Sequence, residues 1–447
     1  MPHEDSISIF HKGMPIAAKG LSIPDFLSTK PNLFTSDFQF PIMILRDSAL
    51  ENNIKRMASY CKSLGFELAP HVKTPMSPQI ARRQIAAGAW GLTIANFAQA
   101  RIMLEYGFNK LIIGNEVMEP TSIAEIAKIN GSGTGQIIFY IDSLAGLKIA
   151  QDSIANVADA KLNVFMEIGA VGGRAGIRDL DLLKTILVEI AKDDRIYVRG
   201  VSGFEGAVPG GDRASEGIEK LRNFLRHIVA AAKITAPFIR EGKIIISGGG
   251  SSFFDYVTEE FAKYEGDAQF ILRSGGYVSH DHIGYENMYP FMGAPDSERF
   301  YPALELWARV LSVPEANLAI LNYGKRDAGN DLDNPLPILK FVKKPEAFKG
   351  EIEKLNDQHA FMKITPGSAV VGDIVDGRKG GPVVATYQMM SDLGIIVGPL
   401  LFGYLADSTG GFAWPFIASL IVASATSVLV MFMPETRKPK VAENLAA

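Results

Sequence analysis

The chain has 447 residues, a formal net charge of -4 and a sequence pI near 6.0. This length allows more than one domain and a large core, and the charge gives no reason to expect a nucleic-acid partner. The single cysteine, Cys61, excludes an internal disulfide and is consistent with a reducing compartment. Residues 1–40 read as an extension without a signal peptide's basic start and apolar run, so a cytoplasmic location is expected.

From Pro41 onward, short apolar runs alternate with helical stretches. The predicted strands are Pro41–Arg46, Phe66–His71, Gly91–Ala95, Lys110–Asn115, Gln136–Asp142, Asn163–Ile168, Tyr197–Glu205, Lys243–Gly248 and Gln269–Ser274. The amphipathic segments between them include Ser77–Gly88, Ala95–Gly107 and Ser215–Ala236. Gly65, Gly88 and Gly107 stand where helices are expected to end.

This alternation predicts a parallel sheet with crossover helices. Eight strands remain when Pro41–Arg46 is set aside, and eight βα units suit a (β/α)8 barrel of the triosephosphate-isomerase type over residues 41–276. A doubly wound open sheet is the alternative. In a barrel, chemistry is expected at the C-terminal ends of the strands.

Residues 277–376 have a different character and predict a smaller β domain packed on the barrel. Leu304–Val313 and Leu318–Tyr323 are its predicted strands, and Asp331–Pro337 is a predicted loop. We expect Pro41–Arg46 to join the sheet of this domain.

Residues 377–447 are strongly apolar. Val383–Ala406 contains Asp392, whereas Phe412–Met433 has no charged residue and is long enough to span a bilayer. Basic residues flank the pair on both sides: Arg378, Lys379, Arg437, Lys438 and Lys440. The positive-inside rule then predicts a transmembrane hairpin that holds the barrel at the inner face of the membrane. A buried helix of a soluble core is the alternative for the second span.

A candidate catalytic lysine, Lys73, follows the predicted strand Phe66–His71, just before Pro75. Side chains two apart on a strand share a face, so His71 and Lys73 are expected to point the same way. A lysine held in a pocket can lose its proton and act as a nucleophile. A solvated surface lysine is the alternative reading, but a position at the end of a barrel strand favours chemistry.

The segment Ser247-Gly248-Gly249-Gly250-Ser251 follows an apolar strand and precedes a helix. Backbone amides at such a turn, together with the helix dipole, form an anion site suited to phosphate. A tight turn without a ligand is the alternative. The turn has no lysine and no Walker spacing, which argues against a nucleoside triphosphate.

Two further loops are rich in polar groups. Arg174 lies in a glycine-rich loop and can donate hydrogen bonds to a phenolate or carboxylate, although a surface arginine is the alternative. Tyr277 is a candidate aromatic lid, and His280 and His282 are either metal ligands or hydrogen-bonding loop residues. An amine, a phosphate site and a lid on one barrel mouth together suggest pyridoxal phosphate.

Several ordered motifs resemble the D-serine dehydratase and D-threonine aldolase family, whose members are relatives of alanine racemase with a fold-type III pyridoxal-phosphate barrel. They are Pro70–Pro78, Arg82–Gly91, Gly172–Gly176, Ser247–Asp255 and Leu272–His282. The resemblance covers residues 40 to 375 approximately and is closest to members called amino acid deaminases.

The resemblance implies a set of roles. Lys73 would bind the cofactor as a Schiff base and later accept the Cα proton, while Arg174 would lie near the phenolic oxygen. Ser247 to Ser251 would hold the phosphate, Tyr277 would close the site, and His71 is a candidate general acid. The expected reaction is β-elimination of a D-amino acid such as D-serine, giving a 2-oxo acid and ammonia. Retro-aldol cleavage of D-threonine is the nearest alternative.

The C-terminal part departs from the family pattern. The family assists the leaving hydroxide with a divalent metal bound by a His two residues before a Cys or Asp, yet no histidine follows His359 and no cysteine follows Cys61. Gly398–Asp407 and Pro434–Arg437 instead resemble the last two helices of a major facilitator transporter. An impaired lyase is therefore expected, and a non-catalytic, membrane-tethered fusion that binds pyridoxal phosphate is the alternative. Two helices alone form no transport path.

The expected partners are a D-amino acid substrate, the membrane through residues 383–433, and a second copy of the chain.

Overall fold

The computed structural model of the protein describes residues 6–331, 333–341, 345–364 and 417. Within these residues, no helix combines the length and the apolar character that a membrane crossing requires. The predicted spans within residues 383–433 lie outside the described residues, apart from Ile417.

Eight parallel strands form the central sheet. They are β2 (Glu67–Leu68), β3 (Leu92–Ile94), β4 (Lys110–Glu116), β5 (Gln136–Ile141), β6 (Leu162–Ile168), β7 (Ile196–Gly203), β8 (Ile244–Gly248) and β9 (Ala268–Leu272). Each overlaps a strand that the apolar runs predict. The eight-stranded parallel sheet is therefore confirmed.

The sheet closes on itself between its two end strands. Its order is β2-β9-β8-β7-β6-β5-β4-β3. The N–H of Trp90 donates to the oxygen of Leu68 at 2.7 Å, and the N–H of Thr93 donates to the oxygen of Pro70 at 2.9 Å. In the other direction, the N–H of Val72 donates to the oxygen of Thr93 at 2.8 Å. These bonds join β2 to β3, so the structure is a barrel rather than an open doubly wound sheet.

Helices cross between successive strands. They are α2 (Asp47–Leu64), α3 (Pro78–Ala86), α4 (Phe97–Glu105), α5 (Pro120–Ser132), α6 (Leu144–Ser153), α7 (Leu180–Ile190), α8 (Ser215–Thr235) and α9 (Phe254–Phe261), and a short α1 (Ile23–Ser28) precedes them. Gly65 ends α2 with φ of 72°, a left-handed conformation that costs glycine little. Gly88 and Gly107 have positive φ just beyond α3 and α4, which confirms the predicted helix ends.

Side chains fill the inside of the barrel. The buried interior cluster consists of Ala69, Ile112, Ile138, Tyr140, Phe165, Ile245 and Ile271. A larger cluster lies between the strands and the surrounding helices. The barrel is therefore a packed core, and functional groups are left to its C-terminal mouth.

The remaining strands are antiparallel. β1 (Ile42–Leu45) pairs with β10 (Leu304–Trp307), as expected for the first apolar run. β11 (Val310–Glu315), β12 (Leu318–Leu321), β15 (Glu351–Leu355) and β16 (Ala360–Lys363) form a second sheet, and β13 (Leu339–Phe341) pairs with β14 (Pro345–Ala347). The single strand predicted at Leu304–Val313 is wrong: it breaks after Trp307, and its two halves join different sheets.

Candidate active site at the barrel mouth

Lys73 lies in a turn rather than on a strand. β2 ends at Leu68, His71 forms an isolated bridge with Thr93, and residues 72–75 turn away from the sheet. The Lys73 side chain is exposed. Side chains alternate between two faces only along a strand, and Lys73 lies in a turn. The prediction that His71 and Lys73 share a strand face is therefore wrong. The lysine nevertheless follows the C-terminal end of the first barrel strand.

His71 is held in its neutral form. Burial, and then the charges of Lys73, Arg273 and Arg174, lower the pKa of His71 to about 3. Its Nδ1 atom is buried and has no hydrogen-bond partner among the described residues. A neutral imidazole carries no extra proton at neutral pH, so the structure argues against an imidazolium general acid. The lowered pKa of His71 also reflects the positive charges of Lys73, Arg273 and Arg174, which come from three separate segments.

The loop after β9 packs tightly between the lysine turn and the glycine turn. A Cβ on Gly275 would lie 2.1 Å from the oxygen of His71, and one on Gly276 would lie 2.9 Å from Ser251 Oγ. The N–H of Gly276 donates to Ser251 Oγ at 2.8 Å. Only glycine permits these approaches, and they bring the lysine turn and the predicted phosphate turn to the same small loop.

The glycine turn already contacts a buried glutamate. Gly249 donates its N–H to Glu205 Oε2 at 3.1 Å, and Gly250 donates its N–H to Glu205 Oε1. Glu205 lies in a short 3-10 helix directly after β7 and is 1% exposed. Burial raises its pKa, while the Gly250 and Gly249 amides and the charge of Arg273 act in the opposite direction.

Ser247 orients a buried arginine. Its hydroxyl donates to the oxygen of Ile271 at 3.0 Å and accepts from Arg273 Nε at 3.0 Å. Arg273 also donates to the oxygen of Gly203, and its guanidinium lies 5.8 Å from the ring centroid of Tyr140. The Ser247 hydroxyl donor is therefore used inside the barrel, and the buried charge of Arg273 is fixed near the mouth.

Arg174 extends from the glycine-rich loop after β6 toward a group of carboxylates. Its Nη2 lies 3.8 Å from Glu167 Oε1. Burial, and then a hydrogen bond to Glu116, raise the pKa of Glu167 well above its usual range. Ligand atoms of Glu116, Asp142 and Glu167 all lie within 4.8 Å of one another. The closeness of these groups and the burial of Glu167 favour its protonated form.

Tyr277 is not a lid. Its ring is 0% exposed within the main core cluster, and its hydroxyl accepts a hydrogen bond of 2.8 Å from Gln84 of α3. A side chain in this position would have to leave the core to cover the mouth. The lid interpretation is therefore wrong, and Tyr277 instead anchors the loop after β9 to α3.

The two histidines of the same loop belong to no group of three or more possible metal-ligand side chains within the described part of the chain. His280 Nε2 lies 3.2 Å from Glu286 Oε2, and its ring makes edge contacts with Tyr285 and Tyr289. Burial lowers the pKa of His280 to about 4. Of the two readings, the structure favours a hydrogen-bonding loop residue for His280.

Comparisons with known proteins match this geometry. Residues 46–240 match the alanine racemase N-terminal domain, and residues 303–378 match a putative serine dehydratase domain. The D-threonine aldolase of Arthrobacter sp. is 25% identical over 339 residues, which are 73% of this chain and 81% of that protein. Over these residues the chain is similar to the D-serine dehydratase and D-threonine aldolase family. Residues 362–447 match the major facilitator superfamily.

Further relatives match over a similar share of the chain. The 3-hydroxy-D-aspartate aldolase of Paracoccus denitrificans is 23% identical over 361 residues, covering 75% of this chain and 87% of its own. The crystal structure of D-threonine aldolase from Filomicrobium marinum has a TM-score of 0.62 and 22% identity, covering 76% of this chain and 85% of that one. This structural likeness supports the barrel with its β domain as the fold of the family.

Sequence reasoning missed Glu167, Glu205 and Arg273 as members of the site. Each lies on or directly after a barrel strand, and a charged residue at a strand end was the signal that could have identified it.

Proposed function

We propose that the chain is a pyridoxal-phosphate-dependent lyase that acts on β-hydroxy-D-amino acids. The observation that carries the proposal is the contact of three segments at one mouth. The backbone of His71, two residues before Lys73, packs against Gly275. The N–H of Gly276 donates to Ser251 Oγ of the glycine turn. The Lys73 amine and the Ser251 hydroxyl, a hydrogen-bond donor for a phosphate, therefore lie on neighbouring loops.

The residues present suit this cofactor. The glycine contacts form a cradle that a Cβ would fill, and the orphaned Nδ1 of His71 offers one unused polar atom beside Lys73. The Ser251 hydroxyl, held by the Gly276 N–H, would donate to the phosphate, and Lys73 would bind the carbonyl group. Arg174, at 3.8 Å from Glu167, supplies a positive side chain on the opposite loop.

When it is bound, pyridoxal phosphate supplies the electron sink that lets the Cα proton leave. The chain's own residues do the rest. Lys73 Nζ would accept that proton as the uncharged amine. Arg174 and Arg273 contribute positive charge that favours anionic groups at the mouth. The neutral His71 fills space beside the lysine without adding a further charge.

Two outcomes are compatible with this machinery. Loss of the β-hydroxyl gives a 2-oxo acid and ammonia, and the match to a serine dehydratase domain supports this outcome with D-serine. Cleavage of the Cα–Cβ bond instead takes the proton of the β-hydroxyl, releases an aldehyde and returns a proton to Cα to give glycine, and the named aldolase relatives support this second candidate.

The metal that the family resemblance implies does not fit this sequence. The His–Cys or His–Asp pair cannot be formed because no histidine follows His359. No step above uses a metal. We therefore propose slow elimination that added zinc or manganese does not accelerate, since nothing at the expected position offers the ligands.

The test uses the full chain incubated with pyridoxal phosphate. Borohydride reduction should attach the cofactor to the peptide that contains Lys73, and Lys73→Ala should abolish the label. Lys110→Ala is the matched control, because Lys110 begins β4 at the opposite end of the barrel. Products from D-serine and D-threonine, assayed as ammonia and glycine, separate elimination from aldol cleavage. Equal labelling of Lys73→Ala would refute the assignment.

A further inference from the structure

Two of the amides expected to hold a phosphate are already occupied by Glu205. The carboxylate takes one N–H from Gly249, at 3.1 Å, and one from Gly250. A Cβ on Gly250 would lie 2.6 Å from the Phe204 ring and 3.1 Å from Glu205 Oε1. The space next to these amides is therefore filled by residues that directly follow β7.

A phosphate on the same two amides would have to displace the Glu205 carboxyl group, whose two oxygens already accept from them. The neighbouring residue of the turn offers other groups. Ser251 Oγ accepts the N–H of Gly276 at 2.8 Å, which holds the serine in place and leaves its hydroxyl proton to donate to an anion. Ser274 supports this arrangement because its hydroxyl donates to the oxygen of Gly249 at 2.9 Å.

We propose that Glu205 is a positioning residue of the phosphate site, which fixes Gly249 and Gly250 and so directs the phosphate to the Ser251 hydroxyl. This inference rests on the proposed function. Gly249 has φ of 87°, one of the many conformations open to glycine, so the turn needs outside contacts to hold it there. Glu205 supplies both acceptors from a rigid strand end, so the turn is formed before the cofactor arrives.

The test compares pyridoxal 5'-phosphate with pyridoxal, which lacks the phosphate. The measured quantity is the dissociation constant of pyridoxal divided by that of pyridoxal 5'-phosphate, both from absorbance titration of the full chain. Glu205→Gln keeps one acceptor oxygen but turns an NH2 group toward the second amide. We expect this ratio to fall roughly tenfold, the effect of losing one hydrogen bond to a charged group. A loss of folding alone would weaken both compounds equally and leave the ratio unchanged.

The matched control is Glu260→Gln. Glu260 is also a buried carboxylate, but it bonds Arg222 and Lys263 on the outer side of the barrel. Its ratio should equal that of the wild type. If Glu205→Gln does not fold, Glu205→Asp retains both oxygens one methylene further away, and a lower ratio is again expected.

An unchanged or higher ratio in the folded Glu205 variants would overturn the inference, because the carboxylate would then be neutral toward the phosphate or compete with it. An equal fall in Glu260→Gln would also overturn it. If the wild type binds neither compound, the proposed function fails and the inference fails with it. Tight binding by the wild type with an unchanged ratio in Glu205→Gln would sink the inference alone.

Discussion

Gly275 and His71 are in direct backbone contact, since a Cβ on Gly275 would lie 2.1 Å from the carbonyl oxygen of His71. This contact connects the loop after β9 to the turn that carries Lys73. The position of the candidate nucleophile therefore depends on a residue far away in the sequence.

Gly275→Ala should separate the two loops. Because backbone atoms cannot yield as a flexible side chain can, the lysine turn must shift, and we expect the affinity for pyridoxal phosphate to fall at least about tenfold, as for loss of a well-packed contact. Absorbance titration measures this, with the unfolding midpoint as a check of folding. Gly293→Ala is the control, since a Cβ there meets nothing within 4 Å. Unchanged affinity in Gly275→Ala would show that the contact does not position Lys73.

Ser247→Ala removes the acceptor of Arg273 Nε and the donor to Ile271. A buried guanidinium N–H is then left unpaired, so the free energy of unfolding should fall by about 1–3 kcal/mol. Urea denaturation measures the change. Ser153→Ala serves as the comparison, because the Ser153 hydroxyl only donates back to Ile149 of its own helix. Similar values for both variants would mean that Ser247 does not hold the arginine.

The raised pKa of Glu167 predicts a specific pH dependence of stability. The folded chain binds more protons at this site than the unfolded chain from the ordinary glutamate range upward. The stabilisation that Glu167 gives to the folded chain is thus present at low pH and is lost as pH rises through its raised pKa. Glu167→Gln mimics the protonated acid. As pH rises, its free energy of unfolding should increase relative to that of the wild type by at most about 1.4 kcal/mol per pH unit. Thermal unfolding from pH 5 to 9 measures this gain.

The exposed Glu189, which pairs with Lys192 on α7, provides the control. Glu189→Gln should follow the wild-type curve at every pH. A constant offset between Glu167→Gln and the wild type across the range would contradict the assigned protonation of Glu167.

His71 should remain neutral throughout the physiological range. Its pKa of about 3 lies below the ordinary histidine value, so the unfolded chain binds the extra proton first and folding stability is lost as pH falls below that ordinary value. Nitrogen NMR should show a constant His71 resonance from pH 5 to 8, and the His71→Asn spectrum identifies the signal by its loss. A resonance that titrates near pH 6.5 would contradict the burial of this ring among three cations.

The order of strands and helices could be predicted from the sequence because apolar periodicity and helix-ending glycines are local signals. The eight barrel strands, the ends of α2, α3 and α4, and the pairing of the first apolar run with the later β domain were all confirmed. Lys73 also follows the C-terminal end of the first barrel strand, where the motif predicted it.

Only the tertiary structure decided which side chains meet. Leu304–Val313 is one apolar run, yet its halves bond to different partners, and no local pattern records that choice. Tyr277 belongs to the core because Gln84 of a distant helix accommodates its hydroxyl. Glu205 meets Gly249 and Gly250 because parallel strands β7 and β8 end side by side. Closure of the barrel sets these contacts, whereas the sequence by itself determined the elements that the barrel brings together.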